Sequence, residues 1–315
     1  MTSSFNADCD PGRGLAAWLT LGAAGRAIAR MPLRPFLLIP ALGLALALAG
    51  CASNSARIDR AAKAAGLSRS VVSGTAYRHV VYRNDLANAS AGRRDSSPVS
   101  SARRLYVFID GDGRPWSRDG QQPEEDPTTH NPLALKLLAQ TPGAAIYVSR
   151  PCYQQIVDPG CSSESWTSGR YSTATIASIA AVARDAVVSG GFDSIAMIGY
   201  SGGGVLAVLV AEQLEHVAAV VTIAANLDTD AWTTYHHYLP LSGSLNPAKS
   251  NGLHQWREIH LVGANDVVVP AITTTTYFAK YPAAVQRPYA GFDHVCCWVE
   301  QWPAIFAEVQ KQLEQ

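Results

Sequence analysis

Short apolar runs, each closed by glycine or acidic turn residues, recur along the chain with helical spacing between them. Leu105, Tyr106, Val107, Phe108 and Ile109 form one run, ended by Asp110-Gly111-Asp112-Gly113, and residues 144–148, 195–198, 218–223 and 258–262 repeat the form. Runs apolar on both faces suit buried parallel strands. Residues 75–83 alternate enough to be an early strand, and 285–289 form a weaker last one. Residues 132–140, 173–189 and 203–215 read as helices, the second placing Ile176, Ile179, Ala180, Val182, Ala183 and Val187 at helical spacing. Residues 302–313 read as a closing helix, and the Ser-rich stretch 85–103 as a polar loop. Strands alternating with helices predict an α/β fold with a mostly parallel sheet and helices on both faces. Functional residues in such sheets gather at the carboxyl ends of strands.

Ahead of this alternation the pattern changes. From Met31 the chain reads Met31-Pro32-Leu33-Arg34-Pro35, then an apolar stretch over 36–49, then Leu48-Ala49-Gly50-Cys51. A basic start, a short apolar core and small residues at a cleavage point describe a secretory signal. The core is shorter than a bilayer of roughly 30 Å prefers. Leu48-Ala49-Gly50-Cys51 resembles a bacterial lipobox, which implies cleavage before Cys51, acylation of its thiol and new amine, and attachment to the cell envelope. More than one acyl chain makes such attachment stable. Ala52 after the cysteine, rather than Asp, directs the expectation to the outer membrane. Arg26 and Arg30 interrupt the modest apolar content before Met31, so Met31 is the expected start. The chain divides on this reading into a leader of residues 1–50, with the signal at 31–50, a tether at 51–74 and a folded domain at 75–315.

With 315 residues and 48% apolar content, the chain suits one globular domain of about 250 residues behind a processed leader. Its 25 basic and 25 acidic residues form no basic stripe, so nucleic acid is not an expected partner. The first 50 residues carry four Arg and two Asp, which leaves the rest mildly acidic, at 21 against 23. Cys152 and Cys161 close a short turn-rich loop and are expected to be bridged in an oxidising compartment. The adjacent Cys296 and Cys297 fit either a vicinal disulfide or two buried thiols. No Cys-x-x-Cys pair or Cys-His metal spacing is present, so no metal site is expected.

One turn has a chemistry of its own. Gly199-Tyr200-Ser201-Gly202-Gly203 lies between the run 195–198 and a helical pattern near Val205. Flanking glycines let the backbone turn sharply and hold the Ser201 hydroxyl above the end of a buried strand. A serine hydroxyl is a poor nucleophile at neutral pH and needs a base, itself oriented by a third group. Asp266, in the turn after the run 258–262, and His294, in Gly291-Phe292-Asp293-His294 after the last strand, are the candidates. Asp228 and Asp230, just past the run ending at Ile223, are the rival acids. His260 sits inside a predicted strand and reads as packed, while His236 and His237 read as substrate-facing or surface groups.

Ser201, Asp266 and His294, in that order and each behind a predicted strand, resemble the α/β-hydrolase superfamily across residues 75–315. The resemblance implies an α/β-hydrolase fold with a small cap or loop insertion at 226–251 and no metal or organic cofactor. It implies a serine hydrolase, esterase- or lipase-like, that cleaves carboxylic esters through a covalent acyl-enzyme. Ser201 would be the nucleophile, His294 the general base and then acid, and Asp266 the acceptor that fixes the imidazole tautomer. The oxyanion hole would come from the backbone amides of Gly202 and Asp112, with Asp110 where the family has His. Two acids beside a developing anion must point away or pair with Arg114. Tyr200, Trp166 and Arg170 are candidate substrate-facing residues, Arg170 for an anionic group. The same triad would serve an acyltransferase or a peptidase, and a non-catalytic envelope lipoprotein using the fold as a binding module is the alternative from another class.

Overall fold

The apolar runs become strands of one eight-stranded sheet. They are β1 (Ser68–Ser73), β2 (Arg78–Arg83), β3 (Arg104–Ile109), β4 (Ala145–Val148), β5 (Ser194–Tyr200), β6 (Val217–Ile223), β7 (Arg257–Gly263) and β8 (Val285–Tyr289). Their spatial order is β1-β2-β4-β3-β5-β6-β7-β8. β2 runs antiparallel to both its neighbours, and the remaining pairs are parallel. The helices are α1 (Asn54–Ala64), α2 (Asp85–Ser90), α3 (Leu133–Leu138), α4 (Thr173–Gly190), α5 (Gly202–Ala211), α6 (Thr229–Tyr235), α7 (Thr275–Lys280) and α8 (Trp298–Leu313). This computed structural model describes residues 53–90 and 103–314, so the leader and Cys51 lie outside the described residues. Among the described residues no helix is long and apolar enough to cross a membrane.

Side-chain alternation along β3 shows why the runs are apolar throughout. Leu105, Val107 and Ile109 enter a core on one face, with Ile176, Ile179 and Val182 of α4 and Val205 to Ala211 of α5. Tyr106 and Phe108 enter a second core on the other face, with Ile58 of α1, Leu133 and Leu137 of α3, and Trp302 and Phe306 of α8. Both faces of a central strand are therefore dry, as the period of two requires. The helix α4 begins where the Ser172 hydroxyl accepts from the Thr175 N–H and ends at Gly191, whose φ of 60° suits glycine.

Three expectations are corrected. The stretch expected as a tether, 51–74, contributes α1 and the edge strand β1 from Asn54 onward, and Ile58 and Ala62 of α1 are buried. β1 escapes the pattern because it is an edge strand with much of its length exposed. Part of the expected loop at 85–103 is the short helix α2. The closing helix starts at Trp298 rather than 302: Trp298 and Trp302 are fully buried, and although Pro303 lies inside the helix and cannot donate to the Val299 carbonyl, that carbonyl accepts from Gln140 Nε2 at 3.1 Å.

Parallel register aligns the carboxyl ends at one edge. Ile109 of β3 faces Gly199 of β5, Tyr200 faces Ile223 of β6, and Gly263 of β7 faces Tyr289 of β8. The loops after β3, β5, β7 and β8 consequently converge.

Candidate active site

The chain leaves β5 at Tyr200 and enters α5 at Gly202, so Ser201 alone makes the turn. Its φ of 52° and ψ of −126° lie where a residue with a Cβ is strained. Neighbouring glycines are needed for space. A Cβ on Gly199 would meet the Gly203 carbonyl oxygen at 2.1 Å, and one on Gly203 would meet the Ile109 carbonyl oxygen at 2.3 Å.

His294 Nε2 lies 3.1 Å from Ser201 Oγ, and His294 Nδ1 lies 2.9 Å from Asp266 Oδ2. A carboxylate oxygen only accepts, so Nδ1 carries the proton and the Nε2 lone pair faces the hydroxyl. The other Asp266 oxygen accepts from the backbone N–H groups of Val268 and Val269, both at 2.8 Å. The Asp266 and His294 loops are tied directly, since the Asn265 N–H donates to the Phe292 carbonyl at 2.8 Å. The His294 loop is held by Asp293, whose Oδ1 accepts from the Val295 and Cys296 N–H groups, and by Trp298 Nε1, which donates to the Asp293 and His294 carbonyls.

The rival acids are occupied elsewhere. Asp228 accepts from the Asp230 and Ala231 N–H groups at the start of α6, and Asp230 pairs with Lys249. A second Ser-His contact, His79 Nε2 to Ser178 Oγ at 2.8 Å, is fully buried, and His79 Nδ1 donates to the Ser149 carbonyl instead of a carboxylate. His260, as expected, is packed, between Thr222 and Glu258.

The acidic loop after β3 is neutralised from an unexpected direction. Arg114 pairs with Glu124 and contacts His130, so it does not serve Asp110 or Asp112. Asp112 instead receives Arg150 Nη1 at 2.6 Å and Arg170 Nη1 at 2.7 Å. Tyr171 Oη donates to the same carboxylate at 2.8–2.9 Å. Burial alone would push the Asp112 carboxyl up, but the Arg170 and Arg150 charges prevail and hold it below its usual range. Asp110 has no such partner, and burial pushes it up to about 7. Gly111 comes between them, its Cβ position only 3.2 Å from Ser201 Cβ.

A cleft of about 1100 Å³ opens over Ser201 and His294. Tyr200, Trp116, Trp232, Tyr238, Leu239 and Val295 give it a largely apolar wall. The expected cap is a short helix and loop that contribute Trp232, Tyr238 and Leu239 to this wall, pinned where Trp232 Nε1 donates to the Val268 carbonyl at 2.7 Å. Tyr200 lines the cleft, whereas near Trp166 the lining passes through Thr167 and Ser168 instead. Arg170 reaches the cleft with its charge already committed to Asp112, which removes the expected role of holding an anionic substrate group. Arg150 and Tyr153 are residues around Asp112 that the sequence did not single out, and Tyr171 stood only in the stretch 166–171 expected at the pocket rim. They have no motif context, and only their distance from Asp112 reveals them. Cys152 and Cys161 are bridged as expected, and Cys296 and Cys297 are joined to each other. Among the described residues no group of His, Cys, Asp or Glu side chains is arranged to hold a metal ion.

An esterase of Pyrococcus furiosus superposes over 80% of this chain and 93% of its own, with a TM-score of 0.54 at 13% identity. The chain has the α/β-hydrolase fold. A lidless α/β serine hydrolase of Xanthomonas campestris is similar over 79% of this chain and 96% of its own, with a TM-score of 0.50 at 12% identity. No protein-family model and no curated protein matches the chain. At such identities the α/β-hydrolase likeness establishes the fold alone.

Proposed function

We propose that the protein is a serine hydrolase that cleaves carboxylic esters through a covalent Ser201 acyl-enzyme. The observation that carries this reading is the continuous chain from Ser201 Oγ through His294 to Asp266, open to the cleft at one end and closed by backbone N–H groups at the other. Ser201 Oγ attacks the ester carbonyl carbon while its proton passes to His294 Nε2. The imidazolium returns that proton to the leaving alkoxide as the carbon–oxygen bond breaks, which leaves the acyl group on Ser201. Water then repeats the sequence, giving the acid and free Ser201. In this mechanism the Gly202 and Asp112 backbone N–H groups would serve as the oxyanion donors, each such donor being worth roughly 2.7–4 kcal/mol where measured.

A fluorophosphonate probe should label the wild type and not Ser201→Ala. A panel of p-nitrophenyl esters of graded chain length, run beside aminoacyl p-nitroanilides, reads the substrate class. Turnover of the anilides alone, or wild-type turnover in Ser201→Ala, would overturn the assignment. We also infer a lipid anchor at Cys51 on the envelope side of a bacterial membrane, a setting with which the Cys152–Cys161 bond agrees. Palmitate incorporation that persists in Cys51→Ala would contradict it.

A further inference from the structure

We propose that Asp112, Arg150, Arg170 and Tyr171 form a positioning clamp, which fixes the Asp112 backbone N–H as an oxyanion donor and keeps a net positive charge behind it. The proposal rests on the serine-hydrolase reading above.

An acidic residue at this position is unfavourable by itself, since its charge opposes the anion that the site must stabilise. Here every acceptor of Asp112 is engaged. Oδ1 receives Arg150 Nη1 at 2.6 Å, Oδ2 receives Arg170 Nη1 at 2.7 Å, and the two oxygens share the single Tyr171 hydroxyl proton, with Oη at 2.9 and 2.8 Å. The Asp112 carbonyl receives Tyr153 Oη at 2.8 Å. Side chain and carbonyl of one residue are thus both anchored, and with peptide planarity little freedom remains for its N–H.

The partners are anchored as well. Arg150 has a side chain only 2% exposed, donates from Nη2 to the Arg170 carbonyl at 3.0 Å, and lies over the Tyr153 and Tyr171 rings. Arg170 donates from Nε to the Thr167 carbonyl at 2.7 Å. The clamp also reaches the other donor residue, because a Cβ at Gly202 would stand 2.0 Å from Asp112 Oδ1 and 2.4 Å from Tyr171 Oη. The loop after β3 and the start of α5 are therefore in contact through this carboxylate. Within the clamp, two guanidiniums against one carboxylate leave one positive charge beside the amino end of α5, where the helix dipole has the same sign, and the neighbouring Asp110 opposes it only once that buried carboxyl ionises, at about 7. Charge of that sign favours the tetrahedral oxyanion over the neutral ester, so it acts on kcat.

The test compares Arg150→Lys and Tyr171→Phe with the wild type. It measures kcat and KM on a soluble p-nitrophenyl ester, inhibition by a boronic acid that forms a tetrahedral anion on Ser201, and the thermal midpoint. Arg150→Lys keeps the charge but loses the two-pronged geometry. It should lower kcat by about 10- to 100-fold, with KM within about threefold and boronic acid affinity weakened in step. Tyr171→Phe keeps every charge and should lose less than about tenfold in kcat, again with KM retained. Both variants folded with kcat within about twofold of wild type would overturn the proposal. So would a fall in kcat with unchanged boronic acid affinity, the signature of a merely structural role. A wild type that neither turns over the ester nor takes the fluorophosphonate label would overturn the hydrolase reading beneath it, and the proposal with it.

Discussion

Asp110 sets up a measurable conflict between fold and charge. It is 3% exposed; its Oδ1 accepts from the Gly111 N–H at 3.1 Å and the Ala134 N–H at 3.4 Å, while Oδ2 is buried without a hydrogen-bond partner. Burial pushes its carboxyl up from 3.8 to about 7, against the partial opposition of those N–H groups and Lys136. Unfolded, the carboxyl loses its proton near 3.8; folded, it keeps it to about 7. Between those values the native state binds more protons, so stability falls as pH rises through the window and levels off above it. A tenfold difference in proton affinity is about 1.4 kcal/mol, so the wild type should lose about 3 kcal/mol through this group between pH 5 and pH 8. Asp110→Asn preserves the shape and the Oδ1 acceptor and cannot ionise. Guanidinium unfolding of both proteins at the two pH values cancels every other titration. The asparagine variant should gain about 3 kcal/mol on the wild type at the higher pH. A difference between the two proteins that is the same at both pH values would refute the argument, because Asp110 would then ionise in the fold as it does in the unfolded chain.

Asp266→Asn should lower kcat by about 10⁴ on a p-nitrophenyl ester, because the amide favours the wrong imidazole tautomer. Asp228→Asn should stay within about threefold of wild type, since an asparagine also caps a helix; comparable losses at both sites would remove Asp266 from the triad. Ser201→Gly should abolish turnover yet raise stability by about 1 kcal/mol, the relief of a strained turn outweighing the entropy cost of glycine. A lower thermal midpoint in that variant would mean that the elbow is unstrained. His254 is gripped by Glu212 and Glu258, and although burial works against its charge, these carboxylates raise it to about 9. Its folded pKa exceeds the unfolded 6.5, so the stabilisation is full below 6.5 and is lost as pH rises through about 9. His254→Gln should accordingly flatten the alkaline fall of the thermal midpoint, and an unchanged slope would count against the ion pairs.

Several features of the site were legible because their physical demands are local. A central parallel strand must be apolar on both faces, and the runs through Val107, Met197 and Val221 meet that demand. An elbow admits only small neighbours where a Cβ would strike backbone, as at Gly199 and Gly203. Asp266 and His294 could be found because loops at the carboxyl ends of parallel strands share one edge. The same reasoning failed where the demand was not local. β1 is an exposed edge strand and carries no strong apolar signal. Trp166 and Arg170 were judged by residue type, which does not say whether a side chain turns to the cleft or to a neighbour.

The sequence alone therefore determined the layered α/β fold and the placing of Ser201, Asp266 and His294 behind predicted strands, because strand periodicity and turn chemistry are written into adjacent residues. Only the tertiary structure decided what surrounds the acidic loop after β3. Arg114, two residues from Asp112, was the neighbour suggested by the chain, yet the charges that neutralise Asp112 come from Arg150 and Arg170, 38 and 58 residues away. Pairing across such distances is set by the register of β3 with β4 and by the path of the loop before α4. A buried carboxylate takes whichever cations that packing brings within reach.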